Sequence, residues 1–149
     1  MREILFRAKT NASDSLWVEG FYNHIPCGRI SCDEHLIQTI DSDGRIGQLF
    51  IVYESTVEQF TGLTDKNGKK IFEGDIVRHF YPDEEAIIGI VCFGGHSCLG
   101  DHDVGFYVSW RKPQCAMYMR DDLGFWTRYR EIDVIGNIHD NPELLKEDL

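Results

Sequence analysis

Ile76-Val-Arg-His-Phe-Tyr81, Pro82-Asp-Glu-Glu85 and Ala86-Ile-Ile-Gly-Ile-Val-Cys-Phe93 follow one another along the chain, two apolar runs around an acidic turn. The runs are rich in β-branched and aromatic side chains and too short for ordinary helices, so they read as a pair of antiparallel strands. The pattern repeats on both sides. Downstream, Val104 to Trp110 alternates, with Phe106, Val108 and Trp110 on one face and Tyr107 and Ser109 on the other. Cys115 to Met119, Phe125 to Tyr129 and Ile132 to Ile138 read as further strands.

Upstream, Glu3 to Ala8 and Leu16 to Tyr22 form an expected hairpin across the Asn, Ser and Asp residues of Thr10 to Ser15. His35 to Ile40 and Gln48 to Tyr53 form a second, because Asp43-Gly44 supplies the positive φ angles a tight turn needs. Thr56 to Leu63 is expected to be extended and to lead into the Asn67-Gly68 turn, while Lys69 to Asp75 is too short for a stable helix. Asn23 to Asp33 and Gly94 to Asp103 carry no period and read as loops, so segments 23–47 and 94–119 are the least legible. One helix is expected, at the C-terminus: Asn141 as N-cap, Pro142 where a missing N–H is harmless, and Glu143 at the positive end, over Asn141 to Asp148. The fold class is all-β, mostly short antiparallel strands with little helix, and about ten such strands must curl or stack to bury their apolar faces.

At 149 residues the chain is one domain, 1–149, or two small packed β subdomains, about 1–60 and 61–149. Fifteen Lys and Arg against 25 Asp and Glu leave a net charge of −10, which repels phosphate backbones and disfavours nucleic acid as a partner. Leu49 to Tyr53 and Ile87 to Phe93 are the longest apolar runs and fall far short of a membrane span. The N-terminal Met1-Arg-Glu-Ile-Leu-Phe6 has an acid within its apolar run and no cleavage site after it, so a cytoplasmic location is expected. Cys27, Cys32, Cys92, Cys98 and Cys115 are an odd number at unpatterned spacings and are expected to be reduced.

Three constellations carry chemistry. Cys92, His96, Cys98 and His102 are thiolate and imidazole donors of the kind zinc prefers, which would make a small metalloenzyme, but their spacing lacks the paired turns of a zinc knuckle. Cys27, Cys32 and His35 are a looser group without a fourth ligand. Arg120, Phe125, Trp126, Arg128, Tyr129 and Arg130 interleave cations with aromatics, as single-strand nucleic-acid binders do, yet Asp121, Asp122, Glu131 and Asp133 cancel that charge. Asp41-Ser-Asp-Gly44 and Asp65-Lys-Asn-Gly68 resemble the middle of calcium loops but lack the acids such loops need at their ends, so both are turns. No catalytic residue, metal ligand or cofactor site is assigned.

Four segments together carry a resemblance: Arg2-Glu-Ile-Leu-Phe-Arg-Ala8, Trp17-Val-Glu-Gly-Phe-Tyr22, Gln59-Phe-Thr-Gly-Leu-Thr-Asp-Lys-Asn-Gly-Lys-Lys-Ile-Phe-Glu-Gly-Asp-Ile-Val77 and Asp133-Val-Ile-Gly-Asn-Ile-His-Asp-Asn-Pro-Glu-Leu-Leu145. The chain resembles the YopX family of phage and prophage proteins. The resemblance implies a barrel-like β core, self-assembly into a homo-oligomer, a phage or prophage origin, and no enzymatic activity or cofactor. The expected role is a non-enzymatic accessory module that binds a host or phage protein. Within the motif, Gly62, Gly68 and Gly74 read as turn formers, and Asp65 and Asp75 as acceptors for nearby backbone N–H groups.

Overall fold

The structure is a computed structural model and describes residues 3–26, 33–82, 85–98, 101–111 and 121–146. It divides into two compact units, Met1–Phe60 and Thr61–Leu149.

In the first unit, strands β1 (Phe6–Lys9), β2 (Trp17–Ile25), β3 (Glu34–Ile40), β4 (Ile46–Ile51) and the start of β5 (Glu58–Thr64) are antiparallel neighbours in the order β4-β3-β2-β1-β5. The β3–β4 turn is built as its sequence dictates: Asp41 Oδ1 accepts from the N–H groups of Asp43 (3.0 Å) and Arg45 (2.8 Å), and Gly44 has φ 76°. The second strand runs on to Ile25, through the start of the expected loop at Asn23, because His24 and Ile25 find partners in His35 and Glu34. The expected extended run Thr56 to Leu63 is found as β5, and a 3-10 turn, Glu54–Thr56, precedes it and takes Thr56. The inner face buries Ala8, Ile37 and Val52, packed by Phe6, Val18, Tyr22, Phe50 and Val57. The sheet curls far enough for Thr10 and Val52 to form a bridge and for Tyr53 N–H to bond Lys9 O at 3.0 Å. No closed barrel forms among the described residues.

In the second unit, β7 (Asp75–His79), β8 (Ile87–Cys98), β9 (Asp101–Trp110) and β10 (Ile132–Asn137) make an antiparallel sheet in the order β10-β7-β8-β9, and the end of β5 neighbours β6 (Lys70–Phe72). Asp65 organises the β5–β6 turn. Its Oδ1 accepts from Asn67 N–H (2.8 Å) and Lys69 N–H (2.9 Å), and its Oδ2 reaches Val134 N–H on β10 (3.0 Å). Asp75 Oδ2 accepts from Phe72 N–H at 2.8 Å in the same manner. The core gathers Ile71, Val77, Ile87, Val91, Val108, Leu123, Trp126 and Ile132. β10 bulges between Val134 and Gly136, where the Asn141 side chain occupies the place a Cβ on Gly136 would take.

Three expectations are corrected here. The expected loop Gly94 to Asp103 is largely strand: β8 continues to Cys98 and β9 starts at Asp101, in unbroken register from Gly94 opposite Gly105 to Cys98 opposite Asp101. Phe125 to Tyr129 is not a strand but most of the helix α1 (Leu123–Tyr129), capped by Asp122, whose side chain accepts from Phe125 N–H at 2.9 Å. Leu123 and Trp126, three apart, turn one helix face into the core, which overrides the β preference of the aromatics. Where the C-terminal helix is expected, the described residues form a 3-10 turn, Pro142–Leu145. The expected strand Cys115 to Met119 lies outside the described residues. The all-β class holds, with antiparallel strands throughout and one short α-helix among the described residues. No helix there is long and apolar enough to cross a membrane.

Candidate functional site

The densest group of titratable side chains in the second unit lies on one face of the β8–β9 ribbon. Strict alternation puts Cys92, Gly94 and His96 on that face of β8, and the register sets Tyr107, Gly105 and Asp103 directly opposite them on β9. Cys92 Sγ donates to Ile90 O at 3.6 Å and shares a second hydrogen bond with the Tyr107 hydroxyl. The His96 ring is buried and lies 5.3 Å from the Tyr107 ring. Its Nδ1 has no hydrogen-bond partner among the described residues. Between the two rings the Gly94–Gly105 pair leaves open space above the sheet.

Electrostatics set what this group can do. Burial pushes the Cys92 thiol up, against the lowering effect of the Tyr107 hydrogen bond. The neighbouring Cys92 raises the Tyr107 phenol, and burial adds to it. Desolvation raises the Asp121 carboxyl, partly opposed by His96. The shifts at Cys92 and Tyr107 favour their protonated forms, so this pair offers a thiol and a phenol in place of a thiolate nucleophile.

The metal-like spacing does not survive the pairing. His96 faces Asp103 whereas His102 faces Ser97, so the two imidazoles project from opposite faces of the ribbon. The Cys98 side chain lies outside the described part of the structure. No three His, Cys, Asp or Glu side chains gather as metal ligands among the described residues.

The aromatic and basic stretch is also rearranged by the helix. Trp126 is buried against Trp110 (4.6 Å between rings) and His79 (5.2 Å), and His79 Nδ1 bonds Glu131 O at 2.7 Å. Arg128 lies over Tyr129 (5.5 Å) and Arg130 over Phe125 (6.0 Å), so these cations cover the rings that would have stacked on bases. Arg120 lies outside the described residues.

In the first unit, Cys27 and Cys32 lie outside the described residues, while His35 enters a polar stack. Its ring is parallel to that of His24, its cross-strand partner, at 4.5 Å. Its Nδ1 meets the Tyr22 hydroxyl at 2.6 Å and its Nε2 lies 3.4 Å from Glu54. Parallel rings direct their lone pairs side by side, so the two imidazoles cannot converge on one ion. Burial and the nearby Glu54 carboxylate raise the Tyr22 phenol, which therefore stays a hydrogen-bond donor.

Sequence reasoning found Cys92 and His96 but missed Tyr107 and Asp121. The cross-strand register joins Tyr107 to Cys92, and the alternation of Val104 to Trp110 was the only hint of its face.

Two antiparallel β units, with turns organised by aspartates, define a class of small β-sheet protein. The family model described as YopX protein matches residues 6–146, and the chain belongs to the YopX family. A solved structure with the same fold is that of protein EF1440 from Enterococcus faecalis, 22% identical with a TM-score of 0.57, over 98% of this chain and 100% of that one. None of the curated proteins matches.

Proposed function

We propose that the chain is a phage- or prophage-encoded accessory protein, a non-enzymatic homo-oligomeric module that binds a host or phage protein in the bacterial cytoplasm. The observation that carries this reading is apolar exposure. Nine large apolar side chains between Ile4 and Tyr53 are each more than a third exposed. Scattered exposure is ordinary, but six of these, Phe21, Ile25, Ile40, Ile46, Leu49 and Ile51, lie on the paired strands β2, β3 and β4, and such a concentration is the usual mark of a protein contact surface.

The protonated state favoured at Cys92 and Tyr107 supports binding over nucleophilic chemistry. The net charge of −10 supports a protein partner over nucleic acid. A barrel-like core in the first unit belongs to the same reading, supported by the curl that brings Val52 to Thr10. Light scattering of the intact chain, alone and after passage through host lysate, tests it. A discrete oligomer with one stoichiometric companion is expected; a monomer without a companion would overturn it.

A further inference from the structure

The outward face of β2, β3 and β4 carries exposed apolar side chains from one end to the other. Register places Phe21 beside Gln38 and Leu49, Asn23 beside Leu36 and Ile51, and Ile25 beside Glu34. Beyond the register shift, Ile40 pairs with Ile46 at the turn end of the same face. Of these, Phe21, Ile25, Ile40, Ile46, Leu49 and Ile51 are 37% to 73% exposed, while Leu36 is buried. Ile40 and Ile46 are directly opposed and Leu49 and Ile51 stand two apart on one face of β4, while Phe21 lies across Gln38 from Leu49 and Ile25 beside Glu34, so the apolar side chains share the face with Asn23, Glu34 and Gln38.

Three strands give a face about 10 Å wide, and Glu34 to Ile40 gives it a length of about 20 Å. Those are the width of one α-helix and the length of about 13 helical residues. Carboxylates stand at both ends: Glu34 opposite Ile25 at one, Asp41 and Asp43 of the β3–β4 turn at the other, with Arg45 the cation of that turn. The cations of β1 are engaged elsewhere, Arg7 with Glu58 and with the ring of Trp17, and Lys9 over the same ring. Residues 1–60 hold five Lys and Arg against nine Asp and Glu. A second copy would bring the same carboxylates and another net charge of −10 to the face.

We propose that this face is the docking site for a basic amphipathic helix of a partner protein, its apolar stripe on Phe21, Leu49 and Ile51 and its Lys or Arg residues at the acidic ends. This rests on the binding-module reading and gives that module's partner a chemistry. Apolar anchors supply the affinity, and the end charges select against acidic helices.

The test uses the intact chain and a fluorescent Leu/Lys amphipathic peptide of about 14 residues, read by anisotropy, with a Leu/Glu peptide as its acidic counterpart. Saturable binding is expected that weakens with salt. It should fall about tenfold or more in Leu49→Gln/Ile51→Thr and separately in Phe21→Ser. Asp140→Asn/Glu143→Gln, in the second unit, should bind as the parent does, and the Leu/Glu peptide about tenfold more weakly or worse. Circular dichroism identifies a variant that fails to fold, and the other variant then decides. Equal affinity in a folded face variant, or equal binding of the acidic peptide, would overturn the proposal. So would a fall in solution mass on replacing these residues, since the occupant would then be a second copy. A native companion that co-elutes equally with parent and face variants would sink this site while leaving the binding-module reading intact.

Discussion

Asp65 holds three backbone N–H groups with one carboxylate, two in its own turn and one on β10, and removing it tests how the second unit is joined. Asp65→Ala leaves all three donors without their acceptor. Asn67 and Lys69 are exposed and water replaces much of what they lose, whereas Val134 lies in a strand beside a core residue. Hydrogen bonds to a charged group contribute about 1.5–3 kcal/mol each, and the two turn bonds are largely recovered from solvent, so a loss of about 2–3 kcal/mol is expected. Asp65→Asn keeps one oxygen for the turn but sets an NH₂ group against the Val134 N–H, which should cost about 1–2 kcal/mol. Urea unfolding followed by circular dichroism should move its midpoint down by about 1–2 M for Asp65→Ala and by roughly half that for Asp65→Asn. Hydrogen exchange should show the Val134 amide losing protection in both. Equal losses below about 1 kcal/mol, with Val134 still protected, would refute the claim that this carboxylate ties the turn to β10.

Trp126→Ala empties the place shared with Trp110 and His79 and should lower stability by about 3–5 kcal/mol, read by chemical denaturation. Asp122→Ala removes the cap of α1 and should cost about 1 kcal/mol, with a matching drop in helical ellipticity. A variant whose only cysteine is Cys92 should react with iodoacetamide at pH 8 more slowly than a free thiol, because burial raises its pKa, and Tyr107→Phe should slow it further by removing the bond that favours the thiolate. The Asp121 carboxyl is raised in the folded state, so the folded chain binds more protons than the unfolded one, and stability falls as pH climbs from the unfolded pKa through the raised value. Asp121→Asn should therefore raise the melting temperature at pH 7 relative to the parent and lose that advantage near pH 3.

The features legible from sequence are those whose cause is local. Asp43-Gly44 and Asn67-Gly68 specify their turns within four or five residues, and the structure finds Gly44 and Gly68 at φ 76° and 81° with aspartate acceptors beside them. The end of β8 and the start of β9 were illegible because Gly and His carry little strand preference, and their extended state comes from pairing between the two strands. The helix α1 misled through its aromatics, although Asp122 followed by apolar residues three apart was a readable start signal. The Cys92–Tyr107 contact depends on register, and the outward apolar face depends on which side of a curled sheet each residue takes. Neither is written in any single segment.

Hydroxyl-radical footprinting of the intact chain, with and without a companion recovered from host lysate, tests the central claim most directly, since it reads side-chain exposure residue by residue. The account predicts strong protection of Phe21, Ile46, Leu49 and Ile51 in the complex, with Tyr129 and Val104 of the second unit unchanged. Unaltered reactivity at those four, or protection confined to the second unit, would contradict it.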